Sequence, residues 1–153
     1  MYITKLIETE TGHRLTDYSG KCAHIHGHRL QWEVTVAAPA LDSTGFVMDY
    51  SDLKAILKET VDQLDHAFIM HNKDPIHIKL GSDQTETREF LKATNGDVPR
   101  LFITPFNPTS ENIIPWIAEM IIPRLPKGIN LVKIKMWETS SSYTEWIAPR
   151  NKK

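Results

Sequence analysis

The chain has 153 residues, 41% of them hydrophobic and 24% charged, an ordinary globular composition with enough apolar material to bury a core unaided. Its 18 basic and 19 acidic side chains leave a net charge of −1, which gives no electrostatic footing for nucleic acid or an anionic membrane. A single cysteine, Cys22, excludes an internal disulfide, a redox CxxC pair and a zinc finger built on two or four cysteines, and it fits a reducing cytosol.

The first segment, YITKLIETETGHRL (2–15), alternates polar and apolar residues too early for a signal peptide. No apolar run approaches the ~18 residues of a membrane span. RLQWEVTVAA (29–38) predicts a strand with Leu30, Trp32, Val34 and Val36 on one face and Gln31, Glu33 and Thr35 on the other; the first segment can lie antiparallel beside it. DSTGFV (42–47) is a turn. From Ser51, a candidate N-cap, the period becomes helical through Leu53, Ile56, Leu57, Val61 and Leu64.

Residues 70–98 form a polar excursion containing Gly81, Asn95 and Gly96, with a short helix expected over 86–93. RLFITPF (100–106) holds a short strand that ends at Pro105. PTSENIIPWIAEMIIPRL (108–125) is a second helix, capped by Thr109, with Ile113, Ile117, Met120 and Ile121 on one face. Pro115 within it lacks an N–H and crowds the preceding turn, so the helix either begins near Asn112 or kinks. LVKIKMWET (131–139) sets Val132, Ile134 and Met136 against Lys133 and Lys135, and SYTEWIA (142–148) can pair with it as a last strand. No repeat or linker divides residues 1–153, and the pattern predicts one α+β domain with an antiparallel sheet.

KCAHIHGH (21–28) concentrates the cysteine and three of the seven histidines. Projected back along the strand, His26 and His28 share the face of Leu30 and Trp32, with Gly27 between them allowing close backbone approach. Two imidazoles at i and i+2 suit a tetrahedral zinc, whose catalytic sites use three protein ligands and keep one position open. The third ligand is one of His13, His24, His66, His71 or His77, and spacing does not choose between them. Cys22 is either a further ligand or an acid/base whose thiol a metal would acidify. Asp65 and His66 form a carboxylate–imidazole pair or merely end a helix. Glu138 continues the apolar face of Ile134 and Met136; a carboxylate there needs N–H donors, such as those of a heterocycle, unless the strand has ended and water solvates it.

Taken together, GHRL (12–15), CAHIHGH (22–28), GFVMDYSDLK (45–54), LDHAFIM (64–70), PFNPTSENI (105–113) and ET (138–139) resemble the 6-pyruvoyl-tetrahydropterin synthase / 6-carboxy-tetrahydropterin synthase (QueD) family, in the family's order and over nearly the whole chain. The resemblance implies the tunnelling fold (T-fold), a four-stranded antiparallel sheet backed by two helices, assembled as a homohexamer of two stacked trimers with active sites shared between subunits. It implies Zn2+ on His13, His26 and His28, a catalytic Cys22, an Asp65–His66 acid/base pair and a pterin-anchoring Glu138. The implied substrate is 7,8-dihydroneopterin triphosphate, in the cytoplasm. The products implied are 6-carboxytetrahydropterin, acetaldehyde and triphosphate, on the route to queuosine and other deazapurines. The gap between Cys22 and His26 resembles the carboxy-forming type; the alternatives are the 6-pyruvoyl enzyme and a non-catalytic pterin- or purine-binding module. The long excursion after His71, Pro115 and the additional His24 depart from the family's shorter pattern.

Overall fold

The structure, a computed structural model, describes residues 1–76 and 100–149. The helix expected over 86–93, His77 and nearly all of the polar excursion lie outside the described residues. Strand β1 runs Tyr2–His13, β2 His26–Ala37, β3 Ala67–His71, β4 Arg100–Thr104, β5 Asn130–Thr139 and β6 Ser142–Ile147, with helices α1 at Tyr50–Thr60 and α2 at Ser110–Ile121. The strands form one sheet in the order β4-β3-β1-β2-β5-β6.

The α+β class and the antiparallel β1–β2 and β5–β6 pairs match the sequence expectation, and an antiparallel β2–β5 pair joins the two hairpins. The sheet itself differs: it has six strands, not four, and it is mixed. Ala67–His71 adds parallel to β1, and Arg100–Thr104 adds parallel to β3. The run Phe68-Ile69-Met70 is apolar without alternation, so it carries no period-2 signal that would announce a strand. Parallel neighbours also require a long connection rather than a tight turn, and β3 and β4 are far apart in the chain, the one ending at His71 and the other beginning at Arg100.

Alternation aims Leu30, Trp32, Val34 and Val36 at the helices, and all four are buried with Leu53, Leu57, Ile113, Ile117, Ile134 and Met136 in one core cluster. Burying each such side chain contributes roughly 1.5–3 kcal/mol. On β5 the inward phase belongs to Leu131 rather than Val132, which is only half-buried. The cause is a bulge: Thr35 pairs with Lys133 and Val36 with Leu131, skipping Val132.

Helix α1 is capped two residues earlier than expected. Asp49, not Ser51, is the N-cap, its Oδ1 accepting from the Ser51 N–H at 2.6 Å. Val61 and Leu64 stay buried but belong to a following 3-10 turn, Val61–Leu64. Helix α2 begins at Ser110 after the Thr109 cap, so it does not wait until Asn112, and Pro115 is carried inside it. In the 42–47 turn Asp42 Oδ1 accepts from the N–H groups of Thr44 and Phe46, and Gly45 supplies the positive φ of 89°.

Candidate functional site: a three-histidine centre at the end of the sheet

The β1–β2 register builds the site. His13 pairs with His26, Gly12 with Gly27, and Thr11 with His28. Because side chains alternate, this register sends all three imidazoles to the helix-facing side of the sheet. Their ring centroids lie 4.5 Å (His13–His26), 5.3 Å (His13–His28) and 5.1 Å (His26–His28) apart. Their ligand-capable atoms all fall within 4.8 Å of one another, so the cluster can hold a metal ion.

Backbone carbonyls orient two of the rings. His13 Nδ1–H donates to the Pro108 carbonyl at 2.7 Å, and His26 Nδ1–H donates to the His24 carbonyl at 2.8 Å. Each bond fixes the tautomer and leaves Nε2 as the free lone pair. His13 is 7% exposed, and its Nε2 is buried without a partner among the described residues. An orphaned buried nitrogen is costly, and an ion shared with His26 and His28 would satisfy it. Desolvation lowers the His13 pKa; the Pro108 bond opposes this, while the neighbouring His26 and His28 rings lower it further. The ring is thereby biased toward the neutral form that binds metal.

Glu138 joins these histidines. A small cavity of about 10 Å³ is bordered by Thr11, His13, His28, Leu30, Ile113, Met136 and Glu138. The strand has therefore not ended at Glu138, which points along the inward phase toward the cluster. The glycine pair makes the close approach possible: a Cβ on Gly27 would stand 3.1 Å from the Thr11 carbonyl oxygen, and one on Gly12 would stand 2.8 Å from the Phe68 ring.

Cys22 lies half-buried in a 3-10 turn, Lys21–Ala23, tied to the end of β1 by the Leu15 N–H donating to the Cys22 carbonyl at 2.8 Å. It is not a member of the metal-capable group, so it is not a ligand in this arrangement. Asp65 and His66 do pair, Nδ1 to Oδ2 at 2.8 Å, with side chains 34% and 78% exposed. Both grip β1: Asp65 Oδ1 accepts from the Glu10 N–H at 2.8 Å, and the His66 N–H donates to the Glu10 carbonyl at 2.7 Å. The Glu10 bond, more than the His66 contact, holds the Asp65 carboxyl below its ordinary pKa. His66 borders a cleft of about 350 Å³ with Glu10, Gly12, Gly27, His28 and Arg29. Glu10, Gly12, Gly27 and Arg29 carry the strand phase opposite to the metal-capable histidines, so this cleft opens on the other face of the sheet.

Of the remaining third-ligand candidates, His24 is exposed, and His71 buries an Nδ1 that lacks a partner among the described residues. Several supports of the site carry no signal of their own in the sequence. Asn107 and Thr16 exchange two bonds of 2.8 Å, which clamps the chain after His13 onto the loop that presents the Pro108 carbonyl. Asp74, fully buried, accepts from Thr16 Oγ1 at 2.9 Å and pairs with Arg14 Nε at 3.2 Å. The only cue to the first was the sequence NPTSEN, which reads locally as no more than a helix cap.

Among the described residues no helix is long and apolar enough to cross a membrane. The family model described as 6-pyruvoyl tetrahydropterin synthase matches residues 2–148. The chain is 30% identical over 145 residues to 6-carboxy-5,6,7,8-tetrahydropterin synthase of Rickettsia felis, covering 93% of this chain and 96% of the relative. It is 33% identical over 146 residues to the protein of that name in Rickettsia bellii, with coverage of 93% and 96%. A solved structure of an uncharacterized protein from Wolinella succinogenes shares the fold, with a TM-score of 0.79 at 22% identity over 97% of this chain and 98% of that one. By both the family match and its relatives, the chain belongs to the 6-pyruvoyl tetrahydropterin synthase family.

Proposed function

We propose that this chain is a zinc-dependent 6-carboxy-5,6,7,8-tetrahydropterin synthase, a lyase that converts 7,8-dihydroneopterin triphosphate to 6-carboxytetrahydropterin, acetaldehyde and triphosphate. The relatives named above carry that activity in their names. The observation that carries the reading is the cluster of His13, His26 and His28 with an orphaned Nε2 at its centre and Glu138 on the same cavity. Three neutral imidazoles are a zinc donor set, and they leave one coordination position for substrate.

When bound, zinc would supply Lewis acidity to the side-chain hydroxyls of the substrate. The rest of the chemistry falls to the chain. Glu138 accepts hydrogen bonds from the pterin amino group and ring N–H and fixes its orientation beside the histidines. Cys22 carries the proton at the reacting side-chain carbon. His66, steadied by the 2.8 Å contact of its Nδ1 with Asp65 Oδ2, is the complementary acid/base.

The two halves of this machinery open on opposite faces of the sheet, and among the described residues the outer strands β4 and β6 each leave one edge unpaired. Both features favour a closed homo-oligomer, a hexamer of two trimers, in which the His66 of one subunit completes the site of another. The tunnelling fold is the architecture proposed for that assembly, with residues 1–153 as one catalytic domain. A lone reactive thiol suits the reducing cytoplasm.

The test is to incubate zinc-loaded protein with 7,8-dihydroneopterin triphosphate and identify products by mass spectrometry, with Cys22→Ala alongside. Acetaldehyde and 6-carboxytetrahydropterin, lost in the variant, are expected. A 6-pyruvoyl product would move the chain to the activity that gives its family its name, and absence of turnover with zinc bound would leave a pterin-binding module.

A further inference from the structure

The residues that hold Asp65 and His66 in place include one that also borders the histidine cavity. Thr11 is buried, stands opposite His28 in the β1–β2 register, and shares the small cavity with His13, His28 and Glu138. Its Oγ1 is 3.0 Å from the Leu64 carbonyl and 3.0 Å from Thr9 Oγ1, which in turn is 3.1 Å from Trp32 Nε1. Both ends of this chain have fixed polarity, because an indole N–H only donates and a carbonyl only accepts. Each hydroxyl has one proton to give. The direction is therefore set: Trp32 donates to Thr9, Thr9 to Thr11, and Thr11 to the Leu64 carbonyl.

The Leu64 carbonyl belongs to the peptide that leads into Asp65. The next two residues are clamped to Glu10 by the bonds from the Glu10 N–H to Asp65 Oδ1 and from the His66 N–H to the Glu10 carbonyl. His66 itself adopts a left-handed backbone, φ 53°, which a residue with a Cβ holds only when its surroundings enforce it. Three consecutive residues are thus fastened to two consecutive residues of β1. Without the Thr11 hydroxyl, the Leu64–Asp65 peptide plane keeps only the local 3.1 Å bond from the Asp65 N–H to the Asp62 carbonyl and loses its tie to β1. It can then turn and shift the Asp65 carboxylate relative to the His66 ring.

We propose that Thr11 is a positioning residue for the Asp65–His66 pair, acting through the Leu64 carbonyl from the side of the sheet that carries the histidine cluster. This rests on the acid/base reading of that pair. Thr9 separates positioning from packing: it lies in the same buried relay, but its loss leaves the Thr11–Leu64 bond intact.

The experiment measures kcat, KM for 7,8-dihydroneopterin triphosphate, zinc content and thermal stability of the full chain. Thr11→Val keeps the side-chain shape and removes the hydroxyl. It is expected to lower kcat about ten-fold, leave KM within about two-fold and retain zinc. Thr11→Ser restores the hydroxyl and is expected to restore kcat; if Thr11→Val does not fold, a serine variant that folds yet loses kcat overturns the inference. Thr9→Val, which strands the Trp32 N–H, is expected to lower stability and keep kcat. The inference also fails if Thr11→Val turns over normally while Asp65→Asn and His66→Ala do not, or if Thr9→Val loses as much kcat as Thr11→Val. Should Asp65→Asn and His66→Ala themselves retain kcat, the acid/base reading falls and takes the positioning role with it.

Discussion

The orphaned Nε2 of His13 makes metal binding and stability one quantity, since an ion held only by the folded chain stabilises it by mass action. Zinc is expected to raise the melting temperature and a chelator to reverse it; His13→Ala should abolish that shift in a calorimetric scan. Asp65 adds a pH signature. Its folded pKa lies below its unfolded one, chiefly through the Glu10 N–H, so its contribution is fully present above the ordinary carboxyl range and is lost as pH falls through the folded value. The stability gap between wild type and Asp65→Asn, measured by urea unfolding, should therefore be widest near neutrality and close below about pH 4. An equal gap at pH 3 and pH 7 would refute this. Two of the clustered histidines were legible in the sequence, because HxH running into an apolar strand fixes their common face. His13 was not derivable from spacing: its place depends on which residue of β1 meets His26, and pairing register is a tertiary fact. The Pro108 carbonyl was invisible for a different reason, since every residue has a carbonyl.

At the scale of single elements, the glycine pair and the proline invite opposite outcomes. A side chain at Gly27 must push against the Thr11 carbonyl oxygen 3.1 Å away, between two clustered histidines. Gly27→Val is expected to spread β1 from β2 there and weaken zinc affinity about ten-fold or more, read by competition with a chromophoric chelator. Pro115, at the sixth residue of α2, leaves the Glu111 carbonyl without its helical donor. Replacing it with alanine restores that bond and should stabilise the fold by about 1–3 kcal/mol in denaturant titrations. The sequence announces most elements through period alone: Leu53 and Leu57 name α1, and Trp32 and Val34 name β2. It fails where period is interrupted. The bulge opposite Thr35 and Val36 shifts the β5 phase to Leu131, and the unalternating Phe68-Ile69-Met70 run conceals β3.

Across the whole molecule, the His66 cleft opens on the sheet face opposite the histidine cluster, and a subunit acting alone would have His66 on the wrong side. Cys22→Ala and His66→Ala should each be inactive, yet co-refolded mixtures should regain part of the activity, because some hybrid interfaces then pair an intact Cys22 with an intact His66. Continued inactivity of the mixtures would place both residues in one subunit's site. The sheet also ties chemistry to folding. A slip of β1 by one residue along β2 would turn His13 to the opposite face and leave Gly12 in its place, while costing few backbone hydrogen bonds. Such a hairpin offers an ion two ligands instead of three. Zinc present during refolding would thus act as a proofreader, drawing misaligned chains back to the one pairing in which the three imidazoles converge.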